Sequence, residues 1–519
     1  MLPVLTPRQC AEWDQRAAAS GIPVLALMES AGRAAASVIA ARFPERLGAG
    51  VLVACGPGNN GGDGWVLSRA LHVAGVPVWV ASAEPPRGEP ARTVAALARE
   101  TGLREIAPDG PWPGPGLVVD ALLGAGAKGP LREPVGGLVQ RINELGLPVV
   151  ALDGPSGLDL GDGVQHGPLR AALTITFGGY RRGQLLARDE VGDLVVVDIG
   201  LPPGDSAWPV LLDESTAAQA ILPFASATHK GERGRIVVIG GDEGMLGAAR
   251  LAARAAFAAG AGLVHLVAPA ASVAVAATAE PDLQTSTQPF EARPTSRTVS
   301  LLEKANAVVI GPGLGRAASR PEFVAEAIAA IPAETPILLD ADGLFAFSGR
   351  TERLQAAVRD RIAILTPHAG EFRALVPDLA SRMDVDPWGA AESAAERLRA
   401  VVLLKGVPTV VAASRPSRTW TVASGNPGLA TGGSGDTLSG LTAAFAAQRI
   451  EPSLAAAAAA FVMGEAADLA ARRVTARSMR PMDVLQALPD VWRRLDQVRR
   501  APPPPRYPIL HELPAPCRV

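Results

Sequence analysis

At 519 residues the chain is longer than one ordinary hydrophobic core supports, which favours two or three domains. The formal net charge of −2 excludes a broad positive surface, so we expect neither nucleic acid nor a membrane as a partner. Three scattered cysteines lack metal-ligand spacing and argue against a disulfide framework, which indicates a reducing cytoplasm. Charges within the first twenty positions argue against a signal peptide, and the apolar run 454–463 is too short to cross a bilayer, so we expect a soluble protein.

The first part of the chain predicts two helices followed by alternating strands and helices. Thr6 is a predicted helix cap, with Pro7 in the first turn and Gln9 three residues after the cap. A second helix is predicted over 24–42, and another from about Trp65. The apolar runs that predict strands are 51–55, 76–81, 117–122, 148–152, 173–177 and 194–199. This alternation indicates a parallel sheet with helices on both faces.

Periodicity fades over the proline-punctuated stretch 200–223, where we place a domain boundary. The resulting domains are 1–215 and 222–498, followed by a proline-rich tail, 499–519, expected to be extended on the surface. Strand predictions in the second domain are 235–240, 262–267, 307–310, 336–340, 362–366 and 401–405. The second domain is therefore also predicted to be α/β.

A glycine-rich segment, residues 56–64, follows the first of these strands. Its glycines formally match G-x-G-x-x-G, and Glu84 near the next strand could serve as the ribose-binding acid of a dinucleotide fold. However, Asn59, Asn60 and Asp63 stand where a pyrophosphate would lie, and a carboxylate there would repel it. Two amides and an acid instead favour a site for a cation and hydroxyl groups, or for moving a proton.

Two more acidic strand ends belong with this segment. Asp120 precedes a glycine turn that leads to Lys128, and Asp153 is followed closely by Ser156. Because open parallel sheets bind ligands at the carboxyl ends of their strands, we expect these loops to converge. Each aspartate alone could equally be a turn or helix cap, but three such strand ends in one domain favour a site.

Together the segments 59–64, 119–126 and 153–159 resemble the NAD(P)HX epimerase domain, and the resemblance covers about residues 1–215. It implies a Rossmann-like three-layer α/β/α sandwich that interconverts the R and S epimers of hydrated NAD(P)H. It also implies K⁺ bound by Asn60, Asp120 and Ser156, with Asp153 at the reacting centre. The NAD(P)HX-binding residues that it implies are Asn59, Asn60, Gly61, Gly62, Asp63, Gly124, Ala125, Gly126, Ala127, Lys128, Gly129, Pro130 and Asp153.

The second domain repeats the pattern of glycine and polar residues after successive strands. The segments concerned are 229–234, 240–249, 311–315, 339–343, 366–371, 405–409 and 426–436. The Gly432–Gly435 amides at a helix start could hold a transferring phosphate. Asp436 could accept a hydroxyl proton as that oxygen attacks phosphorus, and His368, although often structural in isolation, is a candidate ligand contact.

These motifs resemble the ribokinase-like superfamily and, within it, the ADP- or ATP-dependent NAD(P)HX dehydratases, over about residues 222–495. The family pattern has threonine where this chain has Ser434, which also offers a hydroxyl and a backbone amide. The resemblance implies phosphorylation of the C6 hydroxyl and then elimination of phosphate, with Asp436 as the catalytic base. It implies NAD(P)HX contacts at Ala248, Gly313, His368 and Asp436, and nucleotide contacts at Lys405, Gly406, Val407, Pro408, Thr409 and Gly435.

Together the two resemblances imply a bifunctional NAD(P)H-hydrate repair enzyme. Its small-molecule partners would be NAD(P)HX and ADP or ATP, the nucleotide accompanied by Mg²⁺, and the chain would form a homo-oligomer. One alternative is a small-molecule kinase of the same superfamily with a regulatory N-terminal domain. Another treats the first domain as a non-catalytic ligand-binding module, against which the presence of Asp153 argues. The sequence leaves the choices between ADP and ATP, and between NADHX and NADPHX, open.

Overall fold

The structure is a computed structural model that describes residues 1–414, 417–501 and 509–517. The chain divides into two compact units. The first unit comprises residues 2–208 and the C-terminal segment 504–515, as far as that segment is described. The second unit comprises Met1, residues 209–503 and residues 516–519, again as far as these residues are described.

The first unit alternates strands and helices along most of its length. Its helices are α1 (Pro7–Ala19), α2 (Val24–Arg42), α3 (Pro44–Leu47), α4 (Asn59–Val73), α5 (Ala91–Glu100), α6 (Val135–Glu144), α7 (Arg182–Leu186) and α8 (Arg188–Val191). Its strands are β1 (Val4–Leu5), β2 (Val51–Cys55), β3 (Val78–Ser82), β4 (Arg104–Ile106), β5 (Leu117–Ala121), β6 (Val149–Leu152), β7 (Leu173–Phe177), β8 (Tyr180–Arg181), β9 (Asp193–Val197) and, from the C-terminal segment, β20 (Leu510–Leu513). Thr6 caps α1 in a capping box with Gln9, as predicted.

The main sheet of the first unit has the order β20-β9-β7-β6-β5-β2-β3-β4. All of its pairs are parallel except β20 with β9. One face packs on α2, α4 and α5, and the other packs on α6, each through a buried apolar cluster. The predicted α/β architecture, with helices on both faces of the sheet, is confirmed.

The predicted loop before α4 is wrong in one respect, because Asn59–Gly64 already forms the first turns of the helix. The glycines serve close packing here. A Cβ on Gly61 would stand 1.9 Å from the carbonyl oxygen of Gly56, and one on Gly64 would stand 2.6 Å from the side chain of Ala121. Small residues therefore let the helix start lie directly on the strand ends.

The second unit repeats this construction on a larger scale. Its strands are β10 (Val210–Leu211), β11 (Arg235–Ile239), β12 (Leu263–Ala268), β13 (Gln284–Thr287), β14 (Ala307–Ile310), β15 (Ile337–Leu339), β16 (Ala363–Leu365), β17 (Val401–Leu404), β18 (Thr409–Ala412) and β19 (Trp420–Val422). Its helices are α9 (Glu214–Ala220), α10 (Leu246–Ala258), α11 (Ala270–Ala279), α12 (Ser296–Leu302), α13 (Arg320–Ala329), α14 (Asp342–Phe345), α15 (Thr351–Val358), α16 (Ala369–Leu375), α17 (Ala380–Val385), α18 (Pro387–Leu398), α19 (Ser434–Ala447), α20 (Pro452–Val474) and α21 (Pro481–Arg500). Short 3₁₀ turns occupy Pro377–Leu379 and Pro427–Leu429.

The sheet of the second unit has the order β10-β19-β18-β17-β16-β15-β14-β11-β12-β13. It is parallel except around β18, which runs antiparallel to both β17 and β19. Successive residues of β11 and β14 are all buried apart from Arg235, so helices cover both faces. The alternation of strand and helix predicts the parallel part, whereas the antiparallel edge gives no such signal.

Helix α20 contains the apolar run 454–463 but extends well beyond it, so the prediction of a short segment underestimates the helix. Within the described residues, α20 and α2 are long and apolar enough to cross a membrane by length and composition. The most apolar window of α20 is 72% buried, as in the core helix of a globular domain. The polyproline run 502–505 lies outside the described residues, and β20 further along the tail joins the sheet of the first unit.

Candidate active sites

A cavity of about 520 Å³ lies at the carboxyl ends of the strands of the first unit. The start of α4 and the loops after β5 and β6 form its polar side, whereas side chains such as Trp13 and Phe177 form an apolar wall. A Cβ on Gly124 would stand 3.2 Å from Cβ of Asn60 and 3.4 Å from Oδ2 of Asp153. The three segments that the sequence predicts to converge therefore meet at this edge of the sheet.

Asn60, Asp120 and Ser156 are all buried. Leu123 links the first to the other two, because its carbonyl accepts from Nδ2 of Asn60 at 2.9 Å and its N–H donates to Oγ of Ser156 at 3.0 Å. The Ser156 hydroxyl donates to Oδ1 of Asp120 at 2.7 Å, and its backbone N–H donates to Oδ2 at 2.7 Å. Burial raises the pKa of Asp120 to about 6, although these hydrogen bonds oppose the shift. The Oδ1 atom of Asn60 is buried and has no hydrogen-bond partner among the described residues. Such hard oxygen donors, one of them unsatisfied, suit a cation.

Asp153 is held firmly at the cavity by several donors. Its Oδ1 lies 2.9 Å from Nη2 of Arg181, and its Oδ2 accepts the backbone N–H of Ala125 at 2.8 Å. The Thr176 hydroxyl donates to Oδ1 at 3.3 Å, and the Gln184 side chain donates to the backbone carbonyl of Asp153. The backbone of Asp153 itself is left-handed, with a φ of 62°. A strained, heavily bonded carboxylate in a cavity is a functional-site signature.

The glycine turn after β5 is only partly in the cavity. Gly124, Ala125, Gly126 and Ala127 line it together with Asn59, Asn60 and Asp63. Gly61 and Gly62, in the first turn of α4, are buried and do not line the cavity. Lys128, Gly129 and Pro130 follow outside the residues that line the cavity, with Lys128 and Pro130 exposed.

Three titratable residues of this cavity are missing from the sequence prediction: Cys10, Asp14 and Arg181. Cys10 and Asp14 lie on α1, which reads as an ordinary capped helix. Burial raises the pKa of the Cys10 thiol to about 11, so it stays protonated at neutral pH. The only sequence signal for Arg181 is a pair of arginines that follows a buried strand, two glycines and Tyr180.

In the second unit the predicted phosphate-binding amides lie at the start of α19. Gly433, with a φ of 93°, precedes Ser434, the first residue of the helix. A Cβ on Gly435 would stand 3.2 Å from Nζ of Lys405 and 3.5 Å from Oδ2 of Asp340. The helix start and the end of β17 therefore lie side by side, with an ammonium between them that suits an anionic ligand.

Asp340 is a further functional candidate, which the sequence analysis includes only as part of the segment 339–343 and gives no role. Its Oδ1 lies 2.6 Å from Nζ of Lys405, and its Oδ2 accepts the Ser439 hydroxyl at 2.6 Å. Burial opposes its ionisation, but Lys405 and these hydrogen bonds outweigh burial and lower its pKa. Burial, together with the nearby charges of Asp340 and Asp342, raises the pKa of Asp436 to about 6, whereas Lys405 opposes the shift.

The other predicted ligand contacts of the second unit lie in the segments that follow β11, β14, β16 and β17. A Cβ on Gly313 would stand 3.3 Å from Cβ of Ala248, so the loops after β11 and β14 meet. His368 follows β16 and caps α16 through Nδ1. Its backbone pairs with that of Lys405 in an isolated parallel β-bridge. Its ring is largely exposed. In the β17–β18 turn, Gly406 and Val407 are exposed, Pro408 is buried, and Thr409 donates to the carbonyl of Gly406 at 3.2 Å.

Fold and sites together define a two-unit α/β protein with separate carboxylate-bearing sites at the carboxyl ends of its two sheets. Residues 236–490 match the family described as NAD(P)H-hydrate dehydratase, and residues 24–183 match the family described as YjeF-related protein N-terminus.

Bifunctional NAD(P)H-hydrate repair enzymes from two organisms are similar to this chain over almost all of its length. The enzyme of Pyrobaculum aerophilum is 36% identical over 93% of this chain and 96% of its own. The Escherichia coli enzyme is 36% identical over 90% of this chain and 89% of its own. A Bacillus subtilis ADP/ATP-dependent NAD(P)H-hydrate dehydratase, co-crystallised with ATP and Mg²⁺, is 27% identical with a TM-score of 0.49, covering 55% of this chain and 98% of that chain. The chain belongs to the family of bifunctional NAD(P)H-hydrate repair enzymes.

Proposed function

We propose that this chain repairs hydrated NAD(P)H in two steps. Residues 1–215 would interconvert the R and S epimers of NAD(P)HX, and residues 222–498 would dehydrate the S epimer at the expense of ADP or ATP. The observation that carries the proposal is the pair of sites: a bonded Asp153 in the cavity of the first unit, and Asp436 beside Lys405 in the second. Family membership over more than nine-tenths of the chain supports it.

In the first unit, Asp153 would lie at the reacting centre and accept the proton of the C6 hydroxyl. Epimerisation of a hydrated nicotinamide carbon requires proton transfer, and a positioned carboxylate supplies it. Asn60, Asp120 and Ser156 would hold K⁺, for which the unsatisfied oxygen of Asn60 is suitable. The bound cation would supply a fixed positive charge that orients the polar groups of the substrate.

The remaining contacts of the first unit come from two segments. Asn59, Asn60, Asp63 and Gly124–Ala127, which line the cavity, would bind the polar groups of NAD(P)HX, and their chain neighbours Gly61, Gly62 and Lys128–Pro130 would complete the proposed set. The apolar wall around Trp13 and Phe177 would exclude water from the nicotinamide ring.

In the second unit, Asp436 would take the proton of the C6 hydroxyl as that oxygen attacks phosphorus. The amides at the start of α19 and the ammonium of Lys405 would stabilise the charge on the transferring phosphate. Phosphate then leaves from C6 with the electrons of the C6–O bond, far more easily than hydroxide would, and loss of a proton from C5 to water forms the C5–C6 double bond that restores NAD(P)H. Mg²⁺ would enter with the nucleotide, because it favours phosphate oxygens.

The proposed ligand contacts of the second unit comprise two sets. Ala248, Gly313, His368 and Asp436 would contact NAD(P)HX, and Lys405–Thr409 with Gly435 would contact the nucleotide.

The buried, free Cys55 supports a cytoplasmic location, and we also propose that the chain assembles as a homo-oligomer.

The test is to incubate purified protein with mixed NADHX or NADPHX epimers, Mg²⁺, K⁺ and either ADP or ATP. We expect a rise in absorbance from NAD(P)H, with one phosphate released for each molecule formed. Comparison of the four combinations identifies the preferred nucleotide and cofactor. A stable phosphorylated product without NAD(P)H would contradict the proposal and favour a small-molecule kinase.

A further inference from the structure

Three carboxyl groups share the cavity of the first unit: Asp14, Asp63 and Asp153. Arg181 and Cys10 are the other titratable groups that line it. A single guanidinium therefore faces three carboxyls, so their environments cannot be equivalent. The arrangement separates them into one paired and two unpaired acids.

Asp153 is the paired acid. One of its oxygens contacts Arg181 and accepts from Thr176, and the other accepts the backbone N–H of Ala125. Every one of these partners is a donor, which is the bonding pattern of a carboxylate without a proton. Arg181 is itself fixed, because it donates to the carbonyl oxygens of Gly179 at 2.8 Å and Phe177 at 3.2 Å.

Asp63 stands in a contrasting position on the second turn of α4. Its side chain is half-buried and makes no hydrogen bond or ion pair with any residue that the structure describes. Burial raises its pKa well above the usual range, and the negative charges of Asp153 and Asp14 raise it further. Asp14 also has a raised pKa through burial, but Arg181 counteracts that shift. Asp63 is therefore the carboxyl that best keeps a proton at neutral pH.

We propose that Asp63 is a second catalytic residue of the epimerase site, donating the proton that complements the one taken by Asp153, and that Arg181 is the positioning residue that keeps Asp153 as the acceptor. This inference rests on the epimerase function proposed above. Two carboxyls held in opposite protonation states are the arrangement that acid and base catalysis requires.

The chemical step balances with these two groups alone. Asp153 removes the proton of the C6 hydroxyl, a carbon–oxygen double bond forms, and the bond from C6 to the ring nitrogen breaks. The electron pair of that bond goes to nitrogen, which takes the proton of Asp63. After rotation about the C5–C6 bond, the nitrogen attacks the other face of the aldehyde. The two protons then return, and the enzyme recovers its starting state.

The experiment follows exchange of the purified R epimer into the S epimer without nucleotide, using the full chain in K⁺ buffer from pH 5 to pH 10. For Asp63→Asn we expect kcat to fall by about 10²–10⁴-fold, as for the loss of a general acid, with little change in KM. The rate of the original protein should decline at high pH as Asp63 loses its proton, and that decline should vanish in the variant. Asp109→Asn, which alters an exposed acid of the same unit, is the matched control and should leave kcat and the high-pH decline unchanged.

Two further comparisons complete the test. Arg181→Met should lower kcat with little change in KM, and Arg181→Lys should restore part of kcat because the positive charge returns. A Tm for Asp63→Asn equal to that of the original protein would show that the lower activity does not result from unfolding. If Asp63→Asn does not fold, Asp63→Glu replaces it. This variant keeps the carboxyl group, so it should retain epimer exchange and the decline at high pH.

The possible results distinguish failure of the role proposed for Asp63 from failure of the epimerase function on which that role rests. Normal exchange and an intact high-pH limb in Asp63→Asn, or transfer of its expected effects to Asp14→Asn, would overturn the role of Asp63. If the original protein exchanges epimers no faster than buffer, the proposed function of the first unit itself fails.

Discussion

Asp153 and Asp436 are both aspartates at the ends of buried structural elements, but their surroundings give them different properties. Asp153 has a guanidinium, a hydroxyl and a backbone amide as partners. Asp436 is half-buried beside other carboxylates, and its pKa rises to about 6. A base with a pKa close to the working pH both accepts a proton readily and remains ionised in most molecules.

Replacement of Asp436 tests its role as the base. We expect Asp436→Ala to lower turnover of the S epimer by about two to four orders of magnitude, because proton removal from the hydroxyl loses its acceptor. Nucleotide affinity should change little, as measured by titration calorimetry. Asp384→Ala, at an exposed acid paired with Arg373, is the matched control. Near-normal turnover in Asp436→Ala would remove the assignment.

The pKa of Asp436 also predicts a pH profile for dehydration. A base acts in its ionised form, so kcat for the S epimer should be constant above about pH 6 and fall below it as Asp436 is protonated. The acid limb should approach a tenfold loss for each pH unit. Stopped-flow absorbance of NADH at saturating nucleotide measures it. A profile that is flat down to pH 4.5 would contradict the role of this carboxyl as the base.

At the scale of elements, the helix start at Asn59 depends on glycines that face the strand ends. A Cβ on Gly61 would overlap the carbonyl oxygen of Gly56, whereas one on Gly58 would meet nothing within 4 Å. We expect Gly61→Ala to cost about 2–3 kcal/mol of unfolding free energy, a usual penalty for overpacking. Gly58→Ala should stay within about 1 kcal/mol. Urea unfolding monitored by circular dichroism compares them, and equal stability of the two variants would refute this packing argument.

The strand β20 supports a second element-scale prediction. It pairs with β9, and Glu512 forms an ion pair with Arg42 at 2.7 Å. Ending the chain after Arg500 removes several hydrogen bonds of the first unit, together worth about 3 kcal/mol at roughly 1 kcal/mol each. We expect the first unit's Tm to fall by about 6–12 °C.

Differential scanning calorimetry measures that change in Tm. The control, Glu512→Ala, keeps the strand and removes the partly exposed ion pair with Arg42, so its Tm should change little. An unchanged Tm for unfolding of the first unit in the truncated chain would show that β20 contributes nothing to its stability.

The sequence predicts those elements whose signal is local. Apolar runs and glycine-rich turns locate β2, β5, β6, β14 and β17 to within a residue or two, and strand-end acids indicate both sites. The antiparallel edge β18–β19 and the strand β20 are not predicted, because their pairing partners are chosen by tertiary contacts. Arg181 escapes prediction for the same reason: only the fold brings it to Asp153.

At the scale of the whole molecule, one chain carries two chemically linked sites. Dehydration consumes one epimer, and the epimerase activity supplies that epimer from the other. Fusion provides the two domains in equal numbers. The sequence resemblance implies this pairing, and the two α/β units each carry their own candidate site.

The most direct test follows conversion of the purified R epimer of NADHX to NADH with Mg²⁺, K⁺ and the preferred nucleotide. We expect complete conversion by the original protein and little conversion by Asp153→Asn, which should still dehydrate the S epimer at the normal rate. Asp436→Ala should form the S epimer but almost no NADH. Rapid conversion of the R epimer by Asp153→Asn, beyond its uncatalysed rate of exchange, would show that Asp153 is not the residue on which epimerisation depends.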